Sequence, residues 1–294
     1  MQRAATNIHL TGTILNHKSN MVLAYADDLD IIGLRDRDVS RAFCSIEKES
    51  KRMGLAVNQD KTKYLLSTTG DTRRIGNSVT MIGNDQTEYK FGVVKDFIYL
   101  GTSINDQNDV SLEIKRRITL ANRCYYGLSK QFSSRAFSRR TKITLYKSLI
   151  LPVLLYGAEA WTLRTTEKQM LGAFERKILR RIFGPLRVDG EYRRRTNLEL
   201  YELYVDVDLV KKIQIERLRW LGHVERMENN APAKKVLFDG TSHGHRSRGR
   251  QITRWKDQVV QDLNSLGVFN WRQQARDRNN WRRLLTKAKI EQRL

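Results

Sequence analysis

Met21-Val-Leu-Ala-Tyr25-Ala26-Asp27-Asp28-Leu29-Asp-Ile-Ile-Gly-Leu34 is the stretch on which the reading of this chain turns. Two short apolar runs rich in Val, Leu and Ile flank a pair of adjacent aspartates. That pattern predicts two buried strands with the carboxylates at the turn between them. Like charges placed side by side are unfavourable unless a cation neutralises them. The turn is therefore either an ordinary solvated one or a divalent-metal site. Successive side chains on a flat strand point to opposite faces, so both carboxylates reach one ion only if the hairpin tip bends.

Outward from this hairpin, Ile8–Leu15 reads as a further strand, followed by a polar turn at 16–20. On the other side, a polar-apolar helical stretch runs from Ser40 to Met53, with Asp38 or Ser40 as its cap and Gly54 placed to end it in a left-handed turn. Strands are expected at 62–69 and 79–82, and the Gly, Asn and Asp between 70 and 88 mark loops. From residue 109 the period becomes helical. Ile114, Ile118, Ala121, Tyr125 and Leu128 form one apolar stripe, with Asp109 or Ser111 as cap. A second helix is expected from Arg140 to Leu151, where Pro152 interrupts it. A third, Glu167 to Phe183, buries Leu171, Phe174, Ile178 and Ile182 and is stopped by Gly184-Pro185. Further helices are expected at 207–227, 253–265 and 280–292, and the Gly, Ser, His and Arg of 239–251 predict a flexible basic loop.

Composition narrows the possibilities. The chain has 294 residues, 40% of them hydrophobic, and a net charge of +22. The charge is uneven: residues 1–105 carry 14 basic against 12 acidic side chains, whereas 106–294 carry 40 against 20. That asymmetry points to a polyanion partner for the second part, since each phosphate neutralised releases a condensed counterion. Aromatic-basic pairs recur there, at Arg219-Trp220, Arg254-Trp255, Trp271-Arg272 and Trp281-Arg282-Arg283. Such pairs suit base stacking with phosphate contact, although Trp on the apolar stripe of a short helix also serves as a core anchor. Two cysteines, Cys44 and Cys124, make neither a disulfide framework nor a structural zinc site, and His223, His243 and His245 have no cysteine partners for a metal. The longest apolar run, Leu149 to Tyr156, contains Pro152 and falls well short of the roughly twenty residues that a membrane span needs. No secretory signal opens the chain. An intracellular setting, nucleus or cytoplasm, is expected.

Tyr25-Ala-Asp-Asp28, then Gly54-Leu55-Ala-Val57-Asn58-Gln-Asp-Lys61-Thr62, then Tyr99-Leu100-Gly101 stand in an order that resembles the second half of a reverse transcriptase palm, most closely that of non-LTR, LINE-type retrotransposons. The resemblance continues through Glu113-Ile114 with Arg117-Ile118 and Ala121, then Leu151-Pro-Val-Leu-Leu-Tyr156-Gly157-Ala-Glu159-Ala-Trp161. It extends to Arg219-Trp220-Leu-Gly222-His223-Val-Glu-Arg226-Met227 and to Gly249-Arg250 with Arg254-Trp255. It thus covers nearly the whole chain. It implies an α+β protein: a partial palm of antiparallel strands plus helices over 1–105, a helical thumb over 106–190, and a basic helical region over 191–294.

The activity implied is RNA-directed DNA polymerisation, by two-metal nucleotidyl transfer onto a DNA primer paired with an RNA template, using a dNTP. Asp27 becomes the principal Mg²⁺ ligand and Asp28 its partner, hard carboxylates suiting that ion. Lys61 stands where the family has a lysine near the leaving pyrophosphate, which implies a general acid; taken by itself it reads as a solvated surface lysine beside Thr62 and Lys63. Tyr99, Leu100 and Gly101 become the primer grip, and Lys115, Arg116, Arg139, Arg140, Arg180 and Arg181 the basic contacts to nucleic acid. The family also requires a third carboxylate from an early palm strand. Before Asp27 the sequence contains no aspartate or glutamate. A truncated or wrongly delimited polymerase, inactive alone, is the expectation. The alternative is a nucleic-acid-binding remnant without chemistry.

Overall fold

The computed structural model describes residues 21–33, 35–67, 76–238 and 254–291. The strand expected at 8–15 and the basic loop expected at 239–251 lie outside the described residues. The class is α+β, and the chain divides after Asp109 into two compact units.

In the first unit, β1 (Met21–Tyr25) and β2 (Asp28–Ile32) form an antiparallel hairpin in the register Tyr25↔Asp28, so the loop is two residues long. Alternation turns Val22, Ala24, Leu29 and Ile31 to one face and Leu23, Tyr25, Asp28 and Asp30 to the other. The expectation of two buried strands is corrected here. Leu23, Tyr25 and Leu29 are exposed, because among the described strands the hairpin pairs only with itself.

Helix α1 (Asp36–Arg52) starts a turn earlier than Ser40. Arg35 holds the cap position without a side-chain bond, and Asp36 and Asp38 lie in the first turn, where the positive end of the helix dipole favours carboxylates. The helix ends before Gly54, which is left-handed at φ +74° as expected. Its inner face packs on a mixed three-stranded sheet in the order β3 (Lys63–Leu65), β5 (Glu88–Val94), β4 (Ser78–Ile82), with β3 and β5 parallel. Phe43 meets Tyr89 and Phe91 edge-on at 5.2 and 5.3 Å. Burying each such ring stabilises by about 1.5–3 kcal/mol. Ile31 of the first hairpin packs against this cluster and so fastens the hairpin to it. A second hairpin follows, β6 (Asp96–Tyr99) and β7 (Thr102–Asn105).

The second unit is mainly helical. Its α2 (Ser111–Gly127) buries Ile114, Ala121 and Tyr125 from the expected stripe, with Ile118 and Leu128 packed partly against the same core. The cap is not Asp109 or Ser111: Val110 occupies that position, and the Ser111 hydroxyl instead donates to Glu167 at 2.6 Å. After α3 (Ser129–Ser133), the helix expected at 140–151 comes as α4 (Arg139–Leu145), a π-helical turn (Tyr146–Ile150) and α5 (Leu151–Leu155). Pro152 cannot donate the bond that would continue an α-helical ladder, and the wider turn before it absorbs the break. Helix α6 (Thr165–Phe183) buries Leu171, Phe174, Ile178 and Ile182 as expected.

A hairpin, β8 (Leu186–Val188) and β9 (Glu191–Arg193), and helix α7 (Asn197–Tyr204) follow, then α8 (Leu209–Glu225). Leu200 and Tyr204 of α7 and Leu209 and Ile213 of α8 share one core with α6. Short helix α9 (Pro232–Phe238) is grouped with the first unit. The second unit closes with α10 (Trp255–Ser265), α11 (Trp271–Arg276) and α12 (Arg278–Glu291).

Among the buried polar side chains described in this helical unit, Arg217 and Glu175 are the most enclosed. Arg217 is 1% exposed and donates to Asp262 (2.7 and 3.1 Å), Gln258 (2.5 Å) and the Trp161 carbonyl (2.9 Å). Glu175 is fully buried and accepts from the Tyr146 hydroxyl (3.2 Å), the Tyr201 hydroxyl (3.1 Å) and the Leu209 N–H (2.9 Å). Burial pushes its pKa up to about 7, despite those donors.

Candidate active site and nucleic-acid interface

Asp27 is the second residue of the two-residue turn and Asp28 the first of β2, and both are exposed. Ala26 before them is left-handed at φ 54°, an unusual conformation for a residue with a Cβ. The left-handed residue turns the chain between the two strands. Two positions on, Asp30 lies on the same face as Asp28 and is half-buried, and burial raises its pKa. Sequence reasoning passed over Asp30; its period-2 spacing from Asp28 was the available signal.

The second hairpin turns at Leu100 (φ 45°) and Gly101 (φ 79°), between Tyr99 and Thr102. Two consecutive left-handed residues make the turn that matches strand twist, and glycine adopts it without a Cβ penalty. Burial raises the Tyr99 pKa, and the charges of Asp30 and Asp28 raise it further. The structure thus brings Tyr99 within electrostatic reach of the acidic face of the first hairpin.

Lys61 sits in the turn after α1, its side chain exposed and its N–H donating to Asn58 Oδ1 at 3.0 Å. Among the described residues no hydrogen bond or ion pair ties Lys61 to Asp27 or Asp28. Nor, among the described residues, does any group of three or more His, Cys, Asp or Glu form a set that could hold a metal ion. The hairpin offers two carboxylates at its tip, which is an incomplete set for a two-metal centre.

The basic positions fall in two places. On α2, Lys115 is exposed and Arg116 is half-buried, pairing with Glu113 at 3.3 Å. Buried Glu113 also pairs with Arg117 at 2.5 Å, and the Arg117 guanidinium lies 4.5 Å over the Tyr156 ring. These motif residues therefore join α2 to the segment after α5. At one end of α6 the other four gather. Arg139 donates to the Phe183 carbonyl at 3.5 Å, beside exposed Arg140. Arg181 bonds the Ser133 hydroxyl. Arg180 donates to Asn197 at 2.8 Å, while its Nε is buried without a hydrogen-bond partner.

The tryptophans divide. Trp281 is 2% exposed, with Nε1 donating to the Leu218 carbonyl, and Trp255 donates to the Glu159 carbonyl. Both are core anchors. Trp220 is exposed and lies against the His223 ring. No helix of the described residues is long and apolar enough to cross a membrane.

Comparison with known proteins bears on this arrangement. The chain is 25% identical over 273 residues to an uncharacterised transposon-derived protein of Caenorhabditis elegans, covering 91% of this chain and 95% of that one. It is also 25% identical over 159 residues to a retrovirus-related Pol polyprotein from the type-1 retrotransposable element R1 of Nasonia vitripennis. That match covers 51% of this chain and 41% of the polyprotein. No family model and no solved structure matches. The two likenesses support a retrotransposon-related origin.

Proposed function

We propose that the chain is the C-terminal part of a retrotransposon reverse transcriptase: a palm portion carrying the Asp27-Asp28 tip, joined to a basic helical unit that holds an RNA template paired with a DNA primer. The observation that carries this reading is the pair of tight hairpins, one ending in Tyr-Ala-Asp-Asp and the other turning at Leu100-Gly101 directly after Tyr99. The Pol polyprotein likeness and the +20 balance of residues 106–294 support it.

In this proposal Asp27 and Asp28 supply two carboxylates to a Mg²⁺ site whose third carboxylate no residue before Asp27 provides. The ion's chemistry would be to clamp the attacking hydroxyl and the leaving phosphate oxygens. The chain's own contribution is placement. Tyr99, Leu100 and Gly101 hold the primer end, and the arginines of α4 and α6 hold phosphates. Binding without catalysis is the second reading, and the incomplete carboxylate set among the described residues favours it for the chain acting alone.

Anisotropy of a labelled RNA–DNA primer-template tests the shared premise. Affinity of the whole chain should fall steeply with salt, by roughly a thousandfold between 50 and 200 mM if about six phosphates are neutralised. Binding indifferent to salt overturns it. In the complete element's polymerase, Asp27→Asn should abolish Mg²⁺-dependent primer extension while binding persists; full extension by that variant removes the site assignment.

A further inference from the structure

The turn after α6 carries a second, unassigned feature. Leu186-Arg-Val-Asp189-Gly190-Glu-Tyr192-Arg-Arg-Arg195 folds as the β8–β9 hairpin, in the register Arg187↔Tyr192, with Asp189 and Gly190 left-handed at its tip. Directly opposed residues share a face. The Arg187 guanidinium accordingly lies 5.9 Å over the Tyr192 ring, and Tyr192 is 72% exposed. A tyrosine held by an arginine and presented to solvent is an aromatic platform with a cation beside it.

The strand leaves this platform through three consecutive arginines. Arg193 is occupied by Glu199 at 2.5 Å, and Arg195 donates to the Gly184 carbonyl at 3.1 Å. Both bonds fasten the hairpin to its surroundings. Arg194 is exposed and follows Tyr192 by two residues. Arg194 thus stands beside the aromatic platform with its guanidinium open to solvent. Phosphate suits guanidinium forks, which bind it through paired N–H donors.

We infer that the β8–β9 hairpin is a single-strand nucleic-acid grip, in which a phosphate sits on Arg194 and an unpaired base stacks on Tyr192. This rests on the nucleic-acid-binding reading above and specifies which chemical form of nucleic acid this surface takes. A paired base cannot offer its face to an external ring, whereas an unpaired one can.

The test uses the whole chain and fluorescein-labelled 20-nucleotide single-stranded RNA, single-stranded DNA and RNA–DNA duplex, titrated at several salt concentrations. Tyr192→Ala should weaken single-strand binding about tenfold, the range for loss of one stacked base, with an unchanged salt slope and unchanged duplex binding. Tyr192→Phe should bind as the parent does. Arg194→Gln should weaken single-strand binding and reduce the log–log salt slope by about 0.7, as one lost phosphate contact does on a single strand. The RNA and DNA arms tell which strand is gripped, and a stronger response in either one supports the inference. Equal weakening of duplex and single strand by Tyr192→Ala overturns it, as does parent-like binding by both Tyr192→Ala and Arg194→Gln. If the parent chain binds no nucleic acid in a salt-dependent way, the proposed function itself fails, which is a different result from the hairpin variants alone being silent.

Discussion

Gly222 lies in the middle of α8, where replacing glycine by alanine ordinarily stabilises a helix by about 1 kcal/mol. Here the opposite is expected. A Cβ built on Gly222 would stand 2.5 Å from Cδ1 and 2.9 Å from Cε2 of Trp281. The indole cannot swing away cheaply. It is 2% exposed and anchored by its Nε1 bond of 3.1 Å to the carbonyl of Leu218, one turn before Gly222. The ring lies on bare helix backbone, and only glycine leaves it that space. Contacts this short place the cost of forcing a methyl beneath it at about 2–3 kcal/mol if the neighbours yield, and at about 3–5 kcal/mol if the indole is expelled. After the propensity gain, the net loss for Gly222→Ala is about 1–4 kcal/mol.

Thermal unfolding by far-ultraviolet circular dichroism reads this directly. A chain of this size loses about 2–4 °C of Tm per kcal/mol, so a drop of roughly 3–15 °C is expected. A double-mutant cycle isolates the cause. Trp281→Ala is destabilising by itself, and adding Gly222→Ala to it should cost nothing more or restore some stability, because the clash has gone. A Gly222→Ala chain as stable as the parent refutes the packing argument. So does a double variant whose losses simply add.

Two further outcomes follow from the buried polar groups. Glu175 has its pKa raised from 4.5 to about 7, so the folded state holds a proton that the unfolded chain gives up, and stability is full below about pH 4.5 and falls as pH rises to about 7. The shift corresponds to a loss on the order of 3 kcal/mol, read as a falling urea midpoint. Asp206 and Glu199, both lowered to about 2, act in the opposite sense and only in more acid solution, whereas Asp30 and Asp262, raised by burial, act in the same sense as Glu175, so a Glu175 variant isolates the share of Glu175 in the window from pH 5 to 7. Glu175→Gln should flatten that window, and an unchanged slope in the variant shows that another group titrates there. Arg217→Ala strands the Asp262 carboxylate in the core and should cost about 3–5 kcal/mol in urea unfolding; replacing both partners by apolar residues should cost less than either single change, and a double variant less stable than both singles contradicts this.

Much of the helical unit was legible because its residues repeat at the helical period. Leu171, Phe174, Ile178 and Ile182 are inward-facing on spacing alone, and Pro152 announced the break before α5. Strand β5 escaped although Tyr89 and Phe91 alternate with Glu88 and Lys90; the other elements that escaped are short ones, too brief to show a period. Their signals were local: Asp189-Gly190 is a hairpin dipeptide, and Thr196 with Glu199 is a capping box, in which the Thr196 hydroxyl and the Glu199 carboxylate each accept a backbone N–H. Arg217 stands four residues after Ile213 on the core-facing side of α8, but its charge hides it from a hydrophobicity pattern. Only the distant Asp262 and Gln258 make that burial tolerable, and their sequence separation leaves no trace. The tip of the first hairpin was legible as a turn bearing two acids. That its strands are half-exposed was not, because apolar composition says what a strand can bury and not whether a neighbour is there to bury it.

The difference between the two units bears on how chemistry and binding are distributed. The helical unit closes its own core, with Ile114, Leu154, Leu171, Ile178 and Leu200 all fully buried. The two hairpins of the first unit pair only within themselves among the described strands, and they leave Tyr25, Leu29, Ile98 and Ile104 exposed. A lone two-stranded hairpin is marginally stable in water, and only Ile31 and its neighbours tie the first one to a core. The carboxylates of Asp27 and Asp28 are therefore held by the least supported part of the molecule, whereas the arginines of α6 are held by the most supported part. Metal ligation needs placement to within a fraction of an ångström, while phosphate contacts by long basic side chains tolerate far more slack. Strand partners for the hairpins would consequently tighten the carboxylate tip much more than they would alter the placement of the arginines, so within the proposed reading polymerisation is the part that depends on such partners and phosphate contact the part that does not.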